Sequence, residues 1–313
     1  MDPAKKTPSD PCCEFSRRDF VRTVSTAALA AGFVLPATVG KSAPKAGSAE
    51  NMVTQLYGTL SDAQKKTICM PFDHEIRSKI SANWAITNPK ISDDFYTAEQ
   101  KQLIKDILKG VTSPDGFERI IKQTDFDNGG WDEYHIAIFG APGTAKFEWV
   151  MTGRHLTIRA DGNSVDGVAF GGPVVYGHGE EDPDENLFHY QTKAANKVFA
   201  ALDPAQREKA LLETPPREND VLLQGTNGSF KGLSAGEFSD DQLELFESVI
   251  KTILAPYRDG DVEEALGFLK QGGGLKKLHM AFYQQGDLKN DKVWDIWRVE
   301  GPTFVSHFRG APH

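Results

Sequence analysis

Apolar side chains recur at helical spacing in several stretches of the chain. Between residues 98 and 109, Leu103, Ile104, Ile107 and Leu108 fall on one stripe, which predicts an amphipathic helix. The remaining predicted helices are one over 62–81 that is interrupted at Pro71, one from Ser113, one from Asp184, and two over 240–254 and 261–270.

The stretch DFDNGGWDE from Asp125 departs from the calcium-loop pattern and is predicted to be a polar loop.

Alternation of apolar and polar positions predicts strands in two separate groups. The first group is YHIAIFG at Tyr134 and FEWVMTGRHLTI at Phe147, with the turn GAPG between them. On the second of these strands, a period of two places Trp149, Gly153 and His155 on one face. A third strand is predicted for VDGVAFGGPVVYG, and the second group comprises KLHMAFY, VWDIWRVEG and TFVSHF.

Four predicted helix starts share a capping signature, in which Ser, Thr or Asp is followed three residues later by Gln. The four glutamines are spaced regularly, since Gln64 and Gln100 lie 36 residues apart, as do Gln206 and Gln242. His135 and His279 lie 144 residues apart, and Trp149 and Trp297 lie 148 apart. This order predicts an internal duplication, with halves at about 55–175 and 185–313. Coincidence among common caps is the alternative.

These elements predict the fold class. Helices and antiparallel β-hairpins in blocks indicate an α+β fold, internally duplicated and with a pseudo-twofold arrangement. Residues 50–313 are predicted to form a single domain built of the two pseudo-repeats.

The N-terminal segment has the features of an export signal. Arg17 and Arg18 precede Phe20 and an apolar run, which matches the twin-arginine signal, a sequence that the translocation machinery recognises. Residues 1–49 are therefore predicted to be a signal peptide and linker, and the mature protein to be periplasmic or extracellular. A retained anchor is the alternative, and no permanent membrane span is expected in the mature form.

The net charge argues against one class of partner, and the cysteine count argues against an internal disulfide. The chain carries a formal net charge of −9, and the predicted signal is basic, so the mature part is more acidic still. Nucleic acid is therefore not expected as a partner. Cys12 and Cys13 would leave with the signal, and Cys69 alone cannot form an internal disulfide.

Four histidines are the candidate metal ligands. His155 lies on a predicted strand, and His178 lies between two glycines and is followed by five acidic residues within seven positions. His307 and His313 flank a Gly-Ala-Pro turn, so that both imidazoles can approach one ion if the chain reverses there. For each histidine the structural alternative stays open: a buried imidazole that binds a carbonyl, a solvated acidic loop, or an exposed tail.

The motifs IFGAPG at Ile138, GRHL at Gly153 and EGPTFVSHF at Glu300 resemble those of the domain of unknown function 3500 family. In that family the second motif carries paired histidines and the chain ends near a His-x-His. Arg154 stands here in place of the first paired histidine, and the chain stops at His313. The resemblance implies export for many members, and it supplies no reaction.

Two function classes follow. The first is an exported metal-binding protein or metalloenzyme with a histidine-lined site between the pseudo-repeats, holding zinc, copper or iron. The second is a non-catalytic envelope protein, either ligand-binding or structural, without metal. The mature chain contains no G-x-S-x-G, H-E-x-x-H or C-x-x-C motif, which argues against ordinary serine hydrolases, zincins and thioredoxin-like enzymes.

Overall fold

The computed structural model describes residues 48–79, 81–161, 175–177 and 179–312. In chain order, the first half of this part contains α1 (Ala49–Thr59), α2 (Asp62–Ile68), β1 (Cys69–Met70), α3 (Ala98–Gly110), α4 (Pro114–Asn128), β2 (His135–Gly140), β3 (Phe147–Gly153) and β4 (Leu156–Ala160). The second half contains α5 (His189–Ala201), α6 (Pro204–Ala210), β5 (Leu211–Leu212), β6 (Leu233–Ser234), α7 (Asp240–Leu254), α8 (Asp259–Gln271), β7 (His279–Tyr283), β8 (Ile296–Gly301) and β9 (Phe304–Arg309). The fold is α+β, as the sequence predicts. The predicted signal peptide lies outside the described residues, apart from its last two positions.

Each half builds one mixed sheet. The first sheet has the order β1-β2-β3-β4, in which β1 pairs parallel to β2 and the other pairs are antiparallel. The second sheet has the order β5-β7-β8-β9, again with a parallel first pair and antiparallel pairs after it. Strand β6 pairs with β7 beside this path. Apart from β6, the two sheets share one strand order and one pattern of parallel and antiparallel pairs.

The four glutamine capping boxes are confirmed, and their spacing has a structural reason. Gln64 and Gln100 donate to each other's side-chain carbonyls over 2.8 and 3.2 Å. Gln206 and Gln242 do the same over 3.1 and 2.8 Å. Each pair ties the start of one helix to the start of another, so the interval of 36 residues is set by a contact. An origin of the halves by duplication, and a twofold axis between them, stay predictions.

Each half packs around its own hydrophobic core. Trp149 is fully buried in the first core and Trp297 in the second, between the sheet and the helices. The amphipathic stripe of α3 is buried as predicted at Ile104, Ile107 and Leu108. None of the helices in the described ranges combines the length and the apolar composition of a membrane span.

The halves join where α4 begins. The Ser113 amide donates to the Pro256 carbonyl over 2.9 Å, and its hydroxyl donates to the Ala255 carbonyl over 2.7 Å. A β-carbon at Gly116 would lie 2.1 Å from the Pro256 carbonyl oxygen, so only glycine permits this approach. Arg258 adds an ion pair with the buried carboxylate of Glu50.

Three predicted elements are wrong in part. The helix predicted from Asp184 begins at His189, after a separate 3-10 turn at Pro183–Glu185. The helix predicted over 62–81 ends at Ile68, because Cys69 and Met70 pair with β2 instead. The stretch predicted as one strand from Phe147 is a hairpin, since β3 ends at Gly153 and β4 returns antiparallel to it from Leu156. Most of the strand predicted within 165–177 lies outside the described residues.

Candidate functional site around His155

His155 occupies the tight turn between β3 and β4. Its φ of 55° lies in the left-handed region, which is uncommon for a residue other than glycine. Its backbone is held on both sides, because its amide donates to the Ala82 carbonyl over 2.6 Å and its carbonyl accepts from the Gln123 side chain over 3.0 Å. The surrounding structure thus fixes an unfavourable backbone conformation, which is a feature found at functional sites.

The imidazole of His155 pairs with a buried carboxylate. Its Nδ1 lies 3.1 Å from both carboxylate oxygens of Asp127, whose side chain is only 3% exposed. In neutral histidine, donation from Nδ1 to Asp127 puts the lone pair on Nε2. Asp127 is also 3.8 Å from the guanidinium Nε of Arg154, a half-exposed side chain. The pair therefore selects one tautomer and one ring orientation.

Asp127 lies in the last turn of α4, which corrects the prediction of a polar loop there. The helix continues to Asn128 and ends at Gly129, whose φ of 83° is the left-handed conformation of a helix C-cap. A comparison with the calcium-loop pattern alone did not indicate Asp127 as a site residue. Asn-Gly directly after a helical stretch is the signal that could have extended the helix to this residue.

The predicted surface that His155 shares with Trp149 and Gly153 is also wrong. Trp149 lies in the core of the first half, whereas His155 lies beyond the strand in the turn. The space beside Gly153 is filled, because a β-carbon there would lie 2.1 Å from the ring of Tyr134. The hydroxyl of Tyr134 donates to the Arg154 carbonyl over 2.7 Å, so this glycine admits a buried tyrosine that supports the turn.

Gln123 connects the turn to a second segment of the chain. It is fully buried, and while its side-chain NH₂ binds the His155 carbonyl, its side-chain oxygen accepts from the Gly177 amide over 2.8 Å. One side chain thus joins the His155 turn to the segment that precedes position 178 in the sequence. His178 itself lies outside the described residues.

The same segment contacts the C-terminal residues. The Glu180 amide donates to the Gly310 carbonyl over 3.2 Å. A β-carbon at Gly179 would lie 2.2 Å from the Ala311 carbonyl oxygen, so the two backbones are in close contact. His313 lies outside the described residues, and the residues that precede it pack against Gly179 and Glu180, which follow position 178.

His307 lies in a different environment, on the edge strand of the second sheet. It is the cross-strand partner of Arg298, and its ring centroid lies 6.2 Å from that of Tyr283. Its Nδ1 is buried without a hydrogen-bond partner among the described residues. Burial, together with the positive charges of Arg298 and Arg309, lowers the pKa of His307 to about 4. The ring is therefore neutral at neutral pH.

Of the four predicted ligands, the described part of the chain contains His155 in the first sheet's hairpin and His307 in the second sheet. Within that part, no group of three or more His, Cys, Asp or Glu side chains is arranged to hold a metal ion. Metal binding by these histidines stays a prediction.

Comparison with known proteins identifies the family. The family model described as "Protein of unknown function (DUF3500)" matches residues 43–312. The chain belongs to the DUF3500 family. This confirms the resemblance seen at the IFGAPG, GRHL and EGPTFVSHF motifs. No curated protein and no solved structure matches the DUF3500 chain.

Proposed function

We propose that this DUF3500 protein binds a divalent transition metal ion at His155 and does so outside the cytoplasm. The observation that carries the proposal is the contact of His155 Nδ1 with the buried Asp127 carboxylate, at 3.1 Å to each oxygen. Histidine ligands of metals commonly donate their other ring nitrogen to a carboxylate, which orients the ring and raises the basicity of the coordinating nitrogen. Zinc, copper and iron all accept imidazole ligands, so the contact does not select among them.

The packing around the turn supports a site that draws on distant parts of the chain. Gln123 links the His155 backbone to Gly177, and Gly179 packs against Ala311. His178 and His313, the other predicted ligands, are neighbours in sequence of these contacting residues. We propose them as the further ligands on sequence grounds.

We leave His307 out of the proposed site. Arg298 lies directly across the strand from it, and Arg309 adds a second positive charge. Arg298 pairs with Glu300 over 2.9 Å and Arg309 with Glu218 over 3.6 Å, so these carboxylates are engaged by the two guanidinium groups. Among the described residues no carboxylate binds the His307 Nδ1, so this ring lacks the orientation that Asp127 gives to His155. The proposed ligands are therefore His155, His178 and His313, whereas the sequence also predicted His307.

Metal content tests the proposal. We expect His155→Ala, purified from the periplasm, to lose at least nine-tenths of the metal bound by the wild type, as measured by elemental analysis. Asp127→Asn keeps a side-chain oxygen but removes the charge, and we expect it to weaken metal affinity by about 10- to 100-fold. Circular dichroism of each variant should show the wild-type fold.

The matched control is His74→Asn. His74 is an exposed histidine whose Nδ1 accepts from the Ile76 amide over 3.2 Å, an acceptor that asparagine replaces. The His74→Asn variant should keep the wild-type metal content. Unchanged metal in His155→Ala would overturn the site. A wild-type protein that is metal-free after native export, and that does not take up zinc, would favour the alternative of a metal-free binding or structural protein.

Export is tested separately. Replacing Arg17 and Arg18 by lysine keeps the positive charge but removes the arginine pair on which recognition depends. We expect precursor of the full-length variant to accumulate in the cytoplasm, where immunoblots of cell fractions detect it. Export at the wild-type level would contradict the twin-arginine assignment and would leave the metal proposal untouched.

A further inference from the structure

A polar cavity lies in the second half of the molecule, between the start of α5 and the loop that leads into β8. Its volume is about 230 Å³. That is room for roughly seven water molecules at about 30 Å³ each, or for one small organic molecule. Apart from two apolar residues, the side chains that line it are all ionisable: Asp184, His189, Lys193, Lys289, Asp291 and Asp295.

The wall formed by α5 is basic. His189 is the first residue of the helix and Lys193 lies one turn later, so both face the same side. The helix start has no side-chain cap, although the His189 and Gln191 amides donate to the Asn186 and Phe188 carbonyls. The positive end of the helix dipole adds to this wall. Lys193 is loosely held, since its one described ion pair, with Asp184, spans 3.7 Å and the lysine is largely exposed.

His189 is a polar group that is only weakly paired among the described residues. Both ring nitrogens are buried and form no hydrogen bond within the described ranges, although the side chain as a whole is 13% exposed. Its nearest carboxylate oxygen, from Asp184, lies 3.6 Å from Nδ1. Burial, followed by the charge of Lys193, lowers the pKa of His189, so the ring is neutral and offers both a donor and an acceptor.

The opposite wall is acidic. Asp295 is buried, and one of its oxygens accepts from the Leu288 amide over 3.0 Å. It forms no salt bridge with any described residue, and burial raises its pKa to about 6. Asp291 lies beside it and accepts from the Val293 amide over 2.9 Å. A buried carboxylate without a cationic partner is costly, so a bound cationic group would stabilise it.

Lys289 offsets this acidic wall only in part, since its charge lowers the pKa of Asp295 by less than burial raises it. Its ammonium lies 2.9 Å from Asp182 and 3.2 Å from Asp184, so its charge is taken up at the rim by these two exposed carboxylates. The cavity therefore has two poles. One is Lys193 with the start of α5, and the other is Asp291 with Asp295.

We infer that this cavity binds a small zwitterionic molecule of amino-acid size, with its carboxylate toward Lys193 and its ammonium toward Asp295. A simple anion would meet the acidic wall, and a simple cation would meet the basic wall. Only a ligand that carries both charges complements both poles. The inference is independent of the proposed metal site, because it uses none of its residues.

Three probes of different charge test the inference. L-alanine, acetate and methylammonium are each titrated into full-length exported protein at pH 7.5, and binding is followed by the ring resonances of His189, assigned with His189→Gln. We expect saturable shifts with L-alanine, and at least tenfold weaker binding of acetate and of methylammonium. Glycerol, a neutral polyhydroxyl probe, should produce no saturable shift.

Two variants separate the poles. Asp295→Asn keeps an acceptor for the Leu288 amide, and it should weaken L-alanine binding at least tenfold while leaving acetate binding unchanged or stronger. Lys193→Met should weaken L-alanine binding at least tenfold without weakening methylammonium binding. Lys209→Met removes a similarly exposed lysine, one that pairs with Glu237 on another surface, and should change nothing.

Several outcomes would contradict the inference of a zwitterionic ligand. Acetate or methylammonium binding as tightly as L-alanine would overturn the two-pole assignment. Saturable binding of glycerol alone, or no shift with any probe, would also overturn it. Metal content in Asp295→Asn and Lys193→Met should equal that of the wild type, so this test and the metal test fail independently.

Discussion

Glu148→Ala should lower the free energy of unfolding by about 3–5 kcal/mol, because it removes the carboxylate that pairs directly with the buried guanidinium of Arg159. Glu148 accepts from Arg159 over 2.9 Å and from Arg77 over 3.2 Å, and the side chains of Glu148 and Arg159 are fully buried. Burial already lowers the pKa of Arg159 to about 10, which shows how strongly its charged form depends on its surroundings. Urea denaturation at pH 7 measures the loss.

The matched control is an exposed ion pair. Glu237→Ala breaks the contact with Lys209, in which both side chains are about half exposed, and should cost no more than about 1 kcal/mol. Replacing Glu148 by Leu together with Arg159 by Met removes both fully buried charges and should recover part of the stability lost in the single variant, while the ion pair of Arg77 with Glu148 is lost in both. A loss below 1 kcal/mol in Glu148→Ala would contradict the account of this ion pair.

Acidification should destabilise the protein through His307. Its pKa in the folded state is about 4, against about 6.5 for an ordinary histidine, so the unfolded chain takes up the proton first. A lowered pKa means that stability is intact above pH 6.5 and falls as the pH drops from there toward 4. Between pH 6.5 and pH 4 this effect lowers the free energy of unfolding by about 3 kcal/mol.

The measurement compares the wild type with His307→Gln, which cannot take up a proton. Unfolding free energies are determined from pH 7.5 to pH 4 for both proteins. At pH 7.5 the imidazole is neutral in both states, so the difference in unfolding free energy between the two proteins reflects only packing and hydrogen bonding. This difference is the reference for the values at lower pH. Toward pH 4 the wild type should lose about 3 kcal/mol more than the variant. Parallel curves would mean that the imidazole is not held neutral.

Much of the secondary structure could be predicted because its signals are local. The capping boxes at Ser61, Thr97, Asp203 and Ser239 are contacts between residues three positions apart, so the sequence contains both partners. The α+β class follows from the same local patterns. The interval between the glutamines pointed to a repeat, although the reason for it, mutual hydrogen bonds across 36 residues, is visible only in three dimensions.

The errors occurred where a tertiary contact outweighed a local preference. Cys69 and Met70 leave the predicted helix because β2 offers them backbone partners. The strand through His155 breaks because Ala82, Gln123 and Tyr134 hold the backbone of the turn. None of these partners is close in sequence to the residue that it fixes. A local sequence pattern therefore cannot predict these contacts.

The sequence by itself determined the class of fold, the helix starts, the strand groups and the histidines worth testing, since each depends on residue types within a few positions. The tertiary structure alone decided which of them acquire partners. It brought Asp127 to His155 from 28 residues away, placed His307 between arginines, and opened a two-pole cavity at His189. The physical reason is that charge pairing and desolvation depend on distance in space, which chain position does not encode.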